Sequence, residues 1–186
     1  MNRKATPILL AVVLVMALLA WVSERSRARV AAAAPHAGTE GATILGLHSG
    51  DIAQVRVKRD YWNSFRLARS PDGTWRLVDP STEPAAAPAV TKLLSALECL
   101  TAISVIDLSA DDSERHREYG LWKPSVEITV TTAEGEQTLL VGTPTADHKG
   151  VYCSRMGRDK VYIVASEALQ PLSQDLAAYR EEKGGS

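Results

Sequence analysis

The chain opens with an unbroken apolar run and then changes to short alternating segments. Every residue from Ile8 to Val22 is apolar. With Ala5, Thr6 and Pro7 included, the stretch 5–22 reaches the short end of the about 17–25 residues that a membrane-spanning helix needs. Arg3 and Lys4 precede it, and Trp21 stands near its end, where an interfacial aromatic belongs. The pattern predicts a single membrane anchor. A cleaved signal peptide is the competing reading, weakened by the arginine-rich segment 23–29 and the absence of an A-x-A site directly after Val22. The alanine run 31–34 offers a cleavage site only beyond that basic patch. Residues 30–43 are rich in Ala and Gly, include Pro35 and lack periodicity, so they read as a flexible tether.

From Ile44 the pattern predicts an antiparallel meander. Ile52, Gln54, Arg56 and Lys58 alternate with Ala53, Val55 and Val57, which sets the two groups on opposite faces of one strand. Phe65 and Leu67 mark a second strand. Ser70-Pro71-Asp72-Gly73 is a turn by composition, and residues 74–78 form a third strand. The period then changes. Val90, Leu93, Leu94, Leu97 and Leu100 line one face of a helix near 89–100, with Pro88 in its first turn. Residues 103–108 read as a short strand. Asp111, Asp112 and Glu114 suit the start of a short helix. Gly120 supplies its left-handed end, Leu121 a closing hydrophobic contact, and Pro124 a stop.

A second meander follows. Val126, Ile128 and Val130 alternate with polar neighbours, 133–136 turn, and 137–141 return, with Gly142 and Pro144 expected to stop the strand. Residues 151–154 and 161–164 read as a hairpin around Gly157. Leu169, Leu172, Leu176 and Tyr179 read as a final amphipathic helical segment broken at Pro171. The fold class is therefore α+β, with an amino-terminal transmembrane helix and antiparallel sheets each covered by a helix. The two meander-plus-helix halves resemble each other: 52–58 matches 126–132, Trp75 matches Tyr162, and 89–100 matches 168–179. A chance similarity of rhythm is the alternative. The expected organisation is a cytoplasmic stub, anchor and basic flank over 1–29, a tether over 30–43, an extracytoplasmic domain over 44–180 and a tail over 181–186.

Charge divides along the same boundary. The formal net charge is −1. Residues 1–29 carry five basic side chains and one acidic one, and residues 30–186 carry 16 basic and 21 acidic ones. An acidic domain argues against a nucleic-acid partner, which requires concentrated basic charge. The anchor's basic flanks are nearly balanced, so they leave its orientation open.

Candidate chemistry is sparse. His36, His48, His116 and His148 show no helical metal-site spacing, and there is no C-x-x-C, phosphate loop or serine-nucleophile motif. No metal site, cofactor site or catalytic group is expected. Asp147 and His148 are the only acid/base pair to consider, and a solvated loop is the preferred reading. Asp111, Asp112 and Glu114 lack the spacing of a calcium loop, and helix capping accounts for them. Cys99 and Cys153 invite a disulfide if the domain is extracytoplasmic, but Cys99 lies opposite the apolar stripe of its helix, and two free thiols are the favoured reading. Tyr61 and Trp62, at a hairpin tip with Asn63 and Ser64, are candidate interaction residues; Trp62 folding back over the sheet is the preferred alternative.

The order of several motifs carries a resemblance. Asp72-Gly73-Thr74-Trp75 precedes the helix stripe; Tyr119-Gly120-Leu121 with Pro124 follows; then come Leu140-Val141-Gly142 and the pairs Val151-Tyr152 and Val161-Tyr162. Across about residues 44–180 the chain resembles the bacterial domain-of-unknown-function family 4340. Its motif residues Asp72, Gly73, Trp75, Tyr119, Gly120, Leu121, Pro124, Gly142 and Tyr152 are expected to be structural. The resemblance implies an amino-terminal membrane segment, a single-pass protein of the cell (inner) membrane with its domain outside the cytoplasm, and association with ABC-type transport systems of the gliding-motility kind. It implies no catalytic residues.

Three functions follow as expectations. The first is a membrane-anchored, non-catalytic accessory or interaction module, with the membrane contacted through 5–22 and ABC transporter subunits as partners. The second is an extracytoplasmic sensor of a small molecule or envelope polymer, with a pocket lined by some of Trp62, Trp75, Trp122 and Tyr152. The third and weakest is a hydrolase using Asp147 and His148.

Overall fold

The alternating segments pair into one continuous antiparallel sheet. A computed structural model describes residues 41–59, 63–108 and 113–181. The predicted anchor at 5–22 lies outside them, as do the basic flank, most of the tether, Tyr61, Trp62, Asp111, Asp112 and residues 182–186. Among the described residues no helix is long and apolar enough to cross a membrane.

The strands are β1 (Ala42–Thr43), β2 (Ile52–Lys58), β3 (Ser64–Arg69), β4 (Trp75–Asp79), β5 (Glu83–Pro84), β6 (Thr101–Ala102), β7 (Ser104–Asp107), β8 (Val126–Thr132), β9 (Gly135–Pro144), β10 (Gly150–Arg155) and β11 (Lys160–Ala165). Among the described residues two α-helices, α1 (Ala87–Glu98) and α2 (Ser113–Glu118), interrupt them. Nine strands form the sheet in the order β5-β4-β3-β2-β8-β9-β10-β11-β7, and β1 pairs separately with β6. Two four-stranded meanders thus run outward from a central antiparallel pair, β2 and β8. The predicted halves meet at the matched segments 52–58 and 126–132. The first half also has four strands, because the short β5 supplies one that its composition does not announce.

Separate sheets with a helix each are replaced by one sheet with one main core. Its principal face carries Val55, Val57, Phe65, Leu67, Leu77, Ile128, Val130, Leu139, Val141, Cys153, Tyr162 and Val164, all buried. The predicted stripe of α1 covers this face through Val90, Leu93, Leu94 and Leu97. Burying each such side chain contributes about 1.5–3 kcal/mol before entropy is counted. The final segment covers it too, as three 3₁₀ turns at Ser166–Leu169, Pro171–Ser173 and Leu176–Tyr179 rather than an α-helix. Leu169/Leu172 and Leu176/Tyr179 are both three apart, which is the 3₁₀ repeat. The latter two turns pack on α1.

Three boundaries differ from the sequence pattern. A bulge at Ala53 shifts the β2–β8 register, so Ile52 is buried with Val55 and Val57 instead of facing outward with Arg56. β9 continues through Gly142 to Pro144. The domain's first strand, β1, lies within the predicted tether, and the Gly41 amide donates to the Ala102 carbonyl at 2.9 Å.

Candidate functional site

Most of the motif residues converge on the second face of the sheet. Leu140, Tyr152, Val161 and Ile106 alternate with the residues of the main core and point away from it. With Tyr119, Leu121 and Leu108 they build a separate small core beneath the segment that follows α2.

The geometry of that segment starts at the end of α2. The Leu121 amide donates to the His116 carbonyl at 2.9 Å and the Gly120 amide to the Arg117 carbonyl at 3.1 Å. Gly120 has φ +70°. This pair of bonds around a left-handed glycine is the Schellman termination, with Leu121 as its buried hydrophobic closure. The reversal carries the chain onto β9. The Thr143 amide donates to the Tyr119 carbonyl at 2.9 Å, and the Ser125 amide to the Val141 carbonyl at 2.7 Å. A Cβ on Gly142 would collide with the Tyr119 carbonyl oxygen. A Cβ on Gly120 would lie 2.7 Å from Thr143 Cγ2. The Tyr119-Gly120-Leu121 and Leu140-Val141-Gly142 motifs are therefore two sides of one joint. Gly142 is small because a backbone passes over it, not because the strand ends there. Tyr119 also stacks on Tyr152, with centroids 4.3 Å apart.

The joint sets Trp122 on the surface. Its side chain leaves the residue 62% exposed, and the Arg117 guanidinium lies over its ring at 5.0 Å. A cation over an exposed indole contributes about 0.5–1 kcal/mol. The chain reversal at Gly120 brings positions 117 and 122 together, so Arg117 carries no signal in the sequence unless the Schellman geometry is worked out first. Lys123 beside Trp122 is exposed as well.

The other motif residues are placed apart from this corner. Asp72 and Gly73 form the β3–β4 turn, with Gly73 at φ +84°. Asp72 accepts the Thr74 hydroxyl at 2.7 Å and the Thr74 amide at 3.0 Å, and these bonds hold its carboxyl below the usual value. Trp75 is half-buried against the main core. The rings proposed to line one pocket do not gather: Trp75 faces the main core, Tyr152 stacks in the small core, and Trp122 is exposed. A groove of about 840 Å³ between α1 and the final turns is lined by residues such as Ala86, Pro88, Lys92, Gln170, Pro171 and Arg180, and none of these three rings borders it.

Asp147 is committed to its own loop. Its carboxylate accepts the Thr145 hydroxyl at 2.6 Å and the Lys149 amide at 3.2 Å, which lowers its pKa. Among the described residues no group of three His, Cys, Asp or Glu side chains is placed to hold a metal ion. Cys99 is exposed and Cys153 is buried, and both are free thiols.

The comparisons with known proteins are narrow. No curated protein and no solved structure matches the chain. A family model described as a domain of unknown function, DUF4340, matches residues 75–183. That range takes in the whole joint and Trp75, while β2, β3 and the Asp72-Gly73 turn precede it. Matched over more than half its length, the chain belongs to the DUF4340 family.

Proposed function

We propose that this protein is a membrane-anchored, non-catalytic accessory module whose domain makes protein contacts outside the cytoplasm, as an auxiliary component of an ABC-type transport system. The observation that carries the contact role is the Trp122 corner. Trp and Arg dominate the binding energy of contact surfaces when they are held rigidly. Here Arg117 lies on the Trp122 ring, and the segment bearing both is fixed by the Schellman bonds and the Thr143–Tyr119 bond. A ring held before binding loses less entropy on docking. The uninterrupted apolar run from Ile8 to Val22 supports the anchor, and the family resemblance supports the transport association.

The test is affinity capture of the full chain after mild solubilisation. Recovery of an ABC-transporter permease or ATPase subunit is expected, with a loss of about tenfold on Trp122→Ala, the scale of a contact residue worth more than about 1 kcal/mol. Recovery of the protein alone from cells that express the transporter would overturn the reading.

A further inference from the structure

A different surface shows what kind of partner the domain accepts. The small core and its covering segment occupy only the β9, β10, β11 and β7 part of the second sheet face. The part formed by β4, β3, β2 and β8 has no such cover among the described residues. Its side chains alternate with those of the main core and include Arg76, Val78, Arg66, Arg56, Lys58 and Glu127, with Val78 an exposed apolar side chain among them. Arg56 on β2 is paired in register with Arg66 on β3, and Ala68 on β3 is paired with Arg76 on β4. Three guanidinium groups thus stand on three adjacent strands.

Like charges placed directly opposite on a sheet destabilise it. The described neighbours compensate only in part. Asp79 lies 3.7 Å from Arg66, Glu127 lies 3.5 Å from Lys58, and Glu136 accepts the Thr131 hydroxyl at 3.2 Å. Arg56 has no ion pair among the described residues. Arg66 Nε is shielded from water and has no hydrogen-bond partner among the described residues. A buried donor left in that state is destabilising. The remainder of the chain from residue 30 is net acidic, so this basic concentration runs against the composition of its own domain.

We infer that the open β4-β3-β2-β8 face is the docking site of an acidic polypeptide segment of a partner protein, whose carboxylates pair with Arg56, Arg66 and Arg76. The shape favours a segment over a flat surface. Strands lie about 4.8 Å apart, so the floor is roughly 15 Å across. A helix with its side chains is about 10–12 Å wide. The covered part of the same face forms a step beside that floor. Guanidinium forks match carboxylates in bidentate geometry. This inference goes beyond the contact role of Trp122 and needs neither the anchor nor a transporter.

The test uses the full chain in neutral detergent and a fluorescent oligo-glutamate of about 12 residues, which spans about 40 Å when extended. Anisotropy is expected to show binding that weakens as salt rises from about 50 to about 200 mM. Arg56→Gln with Arg76→Gln should weaken it at least about tenfold, as expected for losing charge-assisted bonds, while Lys92→Gln on α1 leaves it unchanged. Thermal melts of the double variant should match or exceed the parent, because a like-charge opposition is relieved. Three results would overturn the inference. One is a folded parent that does not bind oligo-glutamate at low salt. Another is a folded double variant that binds as tightly as the parent. The last is phosphatidylglycerol vesicles or a second copy of the chain binding through these arginines in preference to the peptide.

Discussion

Gly142 lies directly under the carbonyl of Tyr119, which leaves no room for a side chain there. The obstruction is backbone, fixed by the Thr143 amide and by the Schellman bonds, so it cannot rotate away. Gly142→Ala is expected to destabilise the domain by about 2–3 kcal/mol, the upper range for overpacking a tight site. Gly120→Ala combines a positive φ with a 2.7 Å approach to Thr143 Cγ2 and should cost a comparable amount. Gly46→Ala is the control: it has φ +62° and open space around its Cβ, so only the backbone term of about 1–2 kcal/mol remains. Urea midpoints of the three variants rank the effects. Equal losses at Gly46 and Gly120, or no loss at Gly142, would show that the collision is relieved by movement.

The two aromatics of the corner should separate stability from contact. Trp122→Ala, at an exposed ring, should change stability by no more than about 1 kcal/mol, the scale of its contact with Arg117. Tyr152→Ala removes the ring stacked on Tyr119 and opens the small core, at a cost of about 2–3 kcal/mol. Denaturant unfolding of both variants makes the comparison. A large loss from Trp122→Ala would mean that the indole is a packing element instead of a contact element.

The thiols should react in two classes. Cys99 is exposed and Cys153 is buried within the main core. A chromogenic disulfide reagent is expected to titrate one thiol in the native protein and two after unfolding. Titration of neither thiol in the unfolded, unreduced chain would show a disulfide in its place.

Stability should fall on the alkaline side. Burial pushes the Cys153 thiol from 9.0 up to about 12. Burial likewise raises the Tyr179 hydroxyl from 10.0 to about 12, against a smaller opposing effect of Arg59, and that hydroxyl donates to the Pro171 carbonyl at 3.1 Å. For such groups the unfolded chain releases protons first. Their contribution is complete below the unfolded value and decays between it and the folded value. Each fully shifted group changes stability by up to about 1.4 kcal/mol per pH unit in that window. Urea unfolding from pH 8 to pH 10.5 should therefore show a decline beginning near pH 9, and Cys153→Ala should delay its onset towards pH 10. An unchanged onset in that variant would exclude the buried thiol as the cause.

Local chemistry was readable along the chain wherever one element determined its own form. The stripe Val90, Leu93, Leu94 and Leu97 predicts α1 and its buried face correctly. The glycine, leucine and proline after α2 predict its termination. The carboxyl-terminal segment misleads because leucines three apart suit both a broken α-helix and successive 3₁₀ turns, and Pro171 does not distinguish them. The bulge at Ala53 is invisible because it is a property of the pairing with β8, not of β2 alone. The same limit applies to the site. Tyr119, Gly120, Leu121 and Gly142 stand out as motifs, but that they form one joint depends on a contact between distant positions. The Arg56–Arg66–Arg76 cluster depends on register across three strands, which no single strand's alternation reveals.

The central pairing of β2 with β8 also has a consequence for synthesis. Arg56 and Thr129 are neighbours across that seam, though the chain between them is about 70 residues long. Chains emerge amino terminus first, at about 5–20 residues per second. For several seconds the first meander therefore exists with the β2 edge unpaired, and that edge carries Val55 and Val57. An exposed hydrophobic edge is a template for wrong pairing. Newly made chains are accordingly most vulnerable to aggregation before Val126–Thr132 arrives, and a holding chaperone would give its greatest benefit in that interval.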